Sequence, residues 1–371
     1  MPGRIRPMRT AQGGLLLCAS LFFIAGCARN GPRILARERI AYGDAIAASW
    51  KEQMLLNVIR LRYGDTPVFL DPSSIISQSG TLYQGDLSIN GSTPISPPKV
   101  LVPGAFSTIG GSFLGRNLVE DHATVSYTPL VGERFTRSML TPLPPKVVLE
   151  FVQAGYPIEP VLRTLLFSLN GLANQRGAGL LRREPDPRFV KVVKALTAAQ
   201  QQGRLYMRLE KRDKGEAVIL VLQNLEESPD IVSALHLLGL SAKESELTVV
   251  YGNKPAAKNE LALLTRSLND VLFEFAACAE VPESDVEEGR ALPAVKLPPE
   301  LEKVWGPLLR IRSSSLPPQD TFTAVKYRDR WFYIGDTDIM SKRIFSFMMF
   351  LITLAESSGP APAPVVTVPV R

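Results

Sequence analysis

The chain has 371 residues and a formal charge of +6 from 42 Lys and Arg against 36 Asp and Glu. That length accommodates one large domain or two ordinary ones with a sizeable core. Three of the basic residues, Arg4, Arg6 and Arg9, stand in the first ten positions and the others form no dense run. A nucleic-acid partner, which needs basic residues gathered on one face, is therefore not expected. There are three cysteines, Cys18, Cys27 and Cys278.

Residues 1–26 read as a cleaved secretory signal: a basic start, the apolar run Leu15 to Ala25 interrupted only by Ser20, then small residues. The run is about 11 residues long, against roughly 20 for a membrane-spanning helix. The segment Ile24-Ala25-Gly26-Cys27 resembles the lipobox of bacterial lipoproteins, in which an aliphatic residue and two small ones precede a cysteine. The resemblance implies cleavage between Gly26 and Cys27 and a thioether-linked diacylglycerol on Cys27. Several acyl chains on one residue anchor stably, because each buried methylene contributes about 0.8 kcal/mol. Ala28 in place of an aspartate implies an outer-membrane destination, with the body facing the periplasm. Residues 27–43 would form the tether.

Residues 44–71 follow as an amphipathic helix. Ala47, Trp50, Met54, Val58 and Leu61 recur at helical spacing, Asp44 suits the N-cap and Gly64 the stop, and Lys51, Arg60 and Arg62 fall on or near the polar side. Glu52 and the modest basic count favour docking on the chain's own domain over a membrane surface.

Between residues 72 and 129, Ser, Thr, Gly and Pro dominate and charges are few, so the segment reads as hairpin strands or long loops. One reading is a β-rich excursion. The other is insertion into an oligomeric outer-membrane barrel, whose strands alternate lipid-facing and lumen-facing residues; the prolines speak against long continuous strands.

From Leu130 onward the pattern predicts helices over Val131 to Leu140, Pro145 to Gln153, Glu159 to Leu165, Pro187 to Gln202, Pro229 to Leu238, Lys258 to Ala279 and Ser341 to Glu356. Strands are expected over Arg204 to Glu210, Ala217 to Gln223, Leu247 to Tyr251, Leu308 to Arg312, Phe322 to Tyr327, Trp331 to Ile334 and Val365 to Val370. Hairpins are expected around Asp213-Lys214-Gly215 and Arg328-Asp329-Arg330. Hairpins interleaved with helices predict an α+β fold, mixed helices and antiparallel hairpins, with the Ser/Gly/Pro-rich segment near its start. Its parts would be an α+β body over 130–281, an acidic, proline-rich linker over 282–302, and a C-terminal α+β unit over 303–371. The apolar run Ile344 to Leu354 is too short to span a membrane and reads as a buried helix.

Chemistry is harder to find. The two histidines, His122 and His236, and the remaining thiol, Cys278, do not have the spacing of a zinc site. Cys278 closes the stripe Leu261, Leu264, Leu268, Val271, Leu272, Phe275 and reads as a small buried hydrophobe. Asp336 and Asp338 before Ser341 suit helix capping better than a cation. No G-x-S-x-G elbow, Walker loop or dinucleotide fingerprint occurs. No catalytic residue, metal or cofactor is expected. The segments Leu56 to Tyr63, Ser126 to Leu130 and Lys342 to Phe345 resemble stretches of uncharacterised bacterial envelope lipoproteins, a likeness that implies no activity.

Three functions follow as expectations. The first is a non-enzymatic lipoprotein held in the outer membrane by the acylated Cys27, serving envelope assembly or a larger envelope complex, with other envelope proteins as partners. The second is an oligomeric channel or secretion component whose 72–129 segment inserts. The third is an envelope hydrolase, which would gather Asp336, Asp338 and His122 into one pocket.

Overall fold

The computed structural model describes residues 31–89, 111–129, 132–177, 182–212, 215–293 and 297–356. Gly26, Cys27, the signal segment, the 357–364 linker and the expected strand Val365 to Val370 lie outside the described residues. The fold is α+β. The chain divides into two compact units, the stretch Val68–Leu130 and a body made by the rest.

The body begins with α1 (Gly31–Arg62), a 32-residue helix about 48 Å long at 1.5 Å per residue. It starts well ahead of Asp44, which therefore lies inside the helix and does not cap it. Residues 39–49 are exposed or half-exposed, whereas Met54, Leu55, Val58 and Ile59 are fully buried. From residue 39 on, the docked part of α1 is therefore its C-terminal part. It ends as its sequence predicts: Gly64 takes φ +77°, and the Asp65 amide donates to the Arg60 carbonyl at 2.8 Å, a Schellman closure.

Three helices carry the chain into the sheet region, α2 (Glu133–Leu140), α3 (Pro145–Gln153) and α4 (Ile158–Leu165), and α5 (Pro187–Gln201) follows the first two strands of the sheet. Pro145 and Pro187 sit in the first turns of α3 and α5, where a missing N–H costs nothing. The main sheet has six strands in the order β4-β3-β8-β7-β6-β5, from β3 (Leu166–Leu169), β4 (Leu172–Ala173), β5 (Leu205–Arg212), β6 (Gly215–Leu222), β7 (Glu246–Tyr251) and β8 (Glu260–Thr265). Its neighbours are antiparallel except β7 and β8.

Helix α6 (Pro229–Leu237) packs on α5 and helix α7 (Leu268–Ala277) on α1 and α2, and the short α8 (Glu283–Glu287) and α9 (Pro299–Val304) follow. The stretch 282–302, expected as an exposed linker, thus holds helical turns, and the Tyr63 hydroxyl donates to Asp285 within it at 2.6 Å. A three-stranded sheet, β10-β11-β9, is built from β9 (Arg312–Ser314), β10 (Thr321–Tyr327) and β11 (Arg330–Gly335). Arg328 and Asp329 both have positive φ, 45° and 62°, the geometry of a two-residue type I′ turn. Helix α10 (Ile339–Glu356) closes the body and buries Phe345, Phe347, Met348, Leu351 and Ile352. Among the described residues no helix is long and apolar enough to cross a membrane.

One expected element changes type halfway. The stripe from Leu261 to Phe275 reads as a continuous helix, but its first half is β8, buried at Leu261, Ala262 and Leu263, and the helix begins only at Leu268. The break falls on Thr265-Arg266-Ser267, where Ser267 caps α7. The Ser267 hydroxyl oxygen accepts from the Asp270 amide at 3.2 Å, and Asp270 accepts from the Ser267 amide in return.

Candidate functional site

The unit Val68–Leu130 is one antiparallel hairpin, β1 (Leu70–Ile89) with β2 (Gly111–Pro129). The pairing runs from Leu70↔Pro129 to Ile89↔Gly111, with one irregularity at Pro72/Ser74. The prolines do not interrupt it: Pro72 stands at that irregularity and Pro129 at a strand end, positions a proline tolerates. Among the described residues β1 and β2 pair only with each other. Each strand therefore has one outer edge with no strand beside it among the described residues.

The register assigns positions to two faces. Odd positions of both strands share one face from Ile75↔Val125 to Ile89↔Gly111, and even positions share the other from Ile76↔Thr124 to Ser88↔Ser112. Asp86, Arg116, Glu120 and His122 all fall on the even face, and Asp121 is the one charged residue on the odd face. In the nine pairs from Thr81↔Val119 to Ile89↔Gly111 the odd face carries no charge at all. Nine residues per strand is the length of a transmembrane β-segment, about 9–11 residues.

The body holds a second group of polar residues, and these are committed to structure. Arg266, fully buried, donates to the carbonyls of Arg163 at 2.7 Å, of Thr164 at 3.1 Å and of Gln175, and pairs with Glu274 at 3.3 Å. Glu274 accepts from the Gly177 amide at 3.0 Å. Burial pushes the Glu274 carboxyl up, against the opposing charge of Arg266, and burial also lowers the Arg266 guanidinium. Asn174 donates to the carbonyls of Arg163 and Leu166 at 2.9 and 2.7 Å, holding the α4–β3 junction. Arg163 lies 4.1 Å over the Trp305 ring and donates to the Gly306 carbonyl at 2.6 Å.

Beside this network lies a cavity of about 550 Å³ lined by Arg163, Glu274, Cys278, Trp305, Leu309 and Arg310. Cys278 donates to the Glu274 carbonyl at 3.4 Å, and burial pushes its thiol up, so it stays protonated at neutral pH. Arg163 and Glu274 at this cavity each already have partners.

The sequence-predicted residues fall in separate places. Asp336 pairs with Lys342 at 2.6 Å, while Asp338 accepts from the Ser341 amide at 3.1 Å and hydroxyl at 2.8 Å, the capping role its spacing suggests. His122 stands opposite Gln78 on the hairpin. His236 is exposed, on the rim of a shallow depression with Leu225, Pro229 and Val232, although its apolar neighbours in sequence suggest a buried side chain. Arg62, expected on the polar side of α1, is buried at 4 % exposure. Its sequence neighbours Tyr63 and Asp65 belong to a packed cluster: Tyr63 meets Tyr327 tilted and Phe332 edge-on, with centroids 5.5 and 6.1 Å apart, and Asp65 accepts from the Tyr327 hydroxyl and from Arg328 at 3.1 Å. The motif Arg62-Tyr63-Gly64-Asp65 signals the helix end in sequence, but not this distant cluster.

No protein family, curated protein or solved structure gives a match to this chain.

Proposed function

We propose that this chain is a non-catalytic lipoprotein of the outer membrane, anchored through an acylated Cys27, whose hairpin β1–β2 joins the hairpins of other copies edge to edge to build an envelope channel. The observation that carries this reading is the long hairpin with both outer edges unpaired among the described residues and its charges drawn to one face. A lone two-stranded hairpin is marginal in water, and open edges of this length are templates for further strands. Closure with other copies satisfies every edge, and a low-charge face opposite a charged one is the division a barrel wall requires between lipid and lumen. The even face, with Asp86 and Arg116, then lines the lumen, and the uncharged odd face of Thr81–Ile89 and Gly111–Val119 meets lipid.

Single cysteines placed at successive positions from Thr81 to Ile89, in a Cys278→Ser background, test it. Labelling of native outer membranes by a charged, impermeant maleimide should alternate, with even positions reacting and odd ones protected. Uniform labelling, together with a detergent-extracted protein that runs only as a monomer, would exclude the channel. The anchor is tested separately: Cys27→Ala should release the chain from the membrane fraction, and unchanged fractionation would remove Cys27 from the account.

A further inference from the structure

Arg62 is the last residue of α1 and is 4 % exposed, yet its Nε and Nη1 have no hydrogen-bond partner and no carboxylate lies within ion-pair distance of it among the described residues. Among the described residues the other deeply buried arginines are engaged: Arg163 with Glu159 and the Gly306 carbonyl, Arg266 with Glu274 and three carbonyls. An uncompensated buried charge is costly, and cores normally replace it by an apolar residue or supply a counter-ion. The carboxyl end of α1 offsets part of that cost but supplies no acceptor to these two nitrogens.

Arg62 forms part of the wall of a separate cavity of about 250 Å³, together with Tyr63, Phe273, Arg290, Ala291 and Leu292. The Tyr63 hydroxyl is already given to Asp285 at 2.6 Å, and Arg290 is neutralised by Glu288 at 2.5 Å. One positive charge therefore remains without a partner at this cavity, and the other walls are largely apolar. Burial lowers the Arg62 guanidinium from its ordinary range, though arginine stays charged at neutral pH.

We propose that this cavity binds a monoanionic amphiphile, a carboxylate or phosphodiester carried on an apolar stem, with the Arg62 guanidinium as its counter-ion and Phe273, Ala291 and Leu292 holding the stem. Nε and Nη1 are themselves closed to solvent, so the attraction is that of the guanidinium charge as a whole, and both oxyanions present the single negative charge that the site lacks. The site lies wholly within the body, so it stands or falls independently of the hairpin reading.

The test is calorimetric titration of the full chain with octanoate and, as its neutral counterpart, octanol. Octanoate should bind at least 10-fold more tightly than octanol, and Arg62→Met should lose that preference while melting at a higher temperature than the wild type without ligand. Leu292→Trp, at a 40 % exposed rim position where folding is not at risk, should fill the cavity and weaken octanoate binding at least 10-fold. That variant keeps the test decisive if Arg62→Met fails to fold. Vesicles of phosphatidylcholine with and without phosphatidylglycerol distinguish the sources: Leu292-sensitive binding only to the anionic vesicles identifies a lipid headgroup, and octanoate binding without it a soluble ligand, each supporting the site. Equal affinity for octanoate and octanol, or octanoate binding unchanged in the folded variants, overturns it.

Discussion

At the scale of single residues, two positions carry sharp expectations. Asp186 is the N-cap of α5: its carboxylate accepts from the Arg188 amide at 2.8 Å and pairs with the Arg188 guanidinium at 2.7 Å. The hydrogen bond from Arg188 holds its carboxyl below the ordinary value, so its contribution is present above the normal carboxylate range and is lost as pH falls through the lowered value. Asp186→Ala should cost about 1 kcal/mol at pH 7, most of it from the cap, since Arg188 is largely exposed. In urea titrations at descending pH, the gap between variant and wild type should narrow only in acid; a gap constant down to pH 2 would rule out the charged cap. Gly177 makes a different demand. A Cβ there would lie 2.6 Å from the Ala277 Cβ, and the Gly177 amide is bonded to Glu274. Gly177→Ala should therefore cost about 1–3 kcal/mol by overpacking. Ala277→Gly, at the last residue of α7, should recover part of the loss in the double variant, and strict additivity of the two changes would show that the close approach is not the cause.

At the scale of elements, the Ser267 cap decides where β8 stops and α7 starts. Ser267→Ala removes the acceptor for the Asp270 amide in a buried setting and should lower stability by about 1–2 kcal/mol, read from the urea midpoint; Ser267→Thr, which keeps a hydroxyl to accept from that amide and donate to the Asp270 carboxylate, should restore most of it. The same junction explains what the sequence conveys and what it hides. Helices that open on proline, such as α3, α5 and α6, are legible to within a residue or so because proline and the apolar spacing mark them locally. The type I′ turn at Arg328-Asp329 is legible from the two apolar runs around it. β8 is not: a fully buried strand loses its alternation, and a run such as Glu260–Thr265 looks like one face of a helix until its neighbours β7 and β3 are known. β3 and β4, of four and two residues, are too short to show any period. The environment of Arg62 is illegible for another reason, since helical spacing assigns a face but not what packs against it.

At the scale of the whole molecule, the chain leaves the body at Pro67 and returns at Val131. The body buries the large side chains Trp305, Arg266, Phe189, Phe275, Phe332 and Phe345 completely, a core of its own. The body's stability should therefore not depend on the hairpin, whereas assembly should depend on it entirely. Replacing Val68–Leu130 by a short Gly/Ser bridge should leave a cooperative unfolding transition. Its denaturant slope should be reduced only in proportion to the residues removed, because that slope follows the surface exposed on unfolding. The same variant should sediment as a monomer under conditions where the intact chain forms a closed oligomer. A body that unfolds without the hairpin would mean that the two units share their core. A body that folds but still forms the oligomer would move the assembly surface off the strand edges, and with it the reading of the hairpin as a barrel segment.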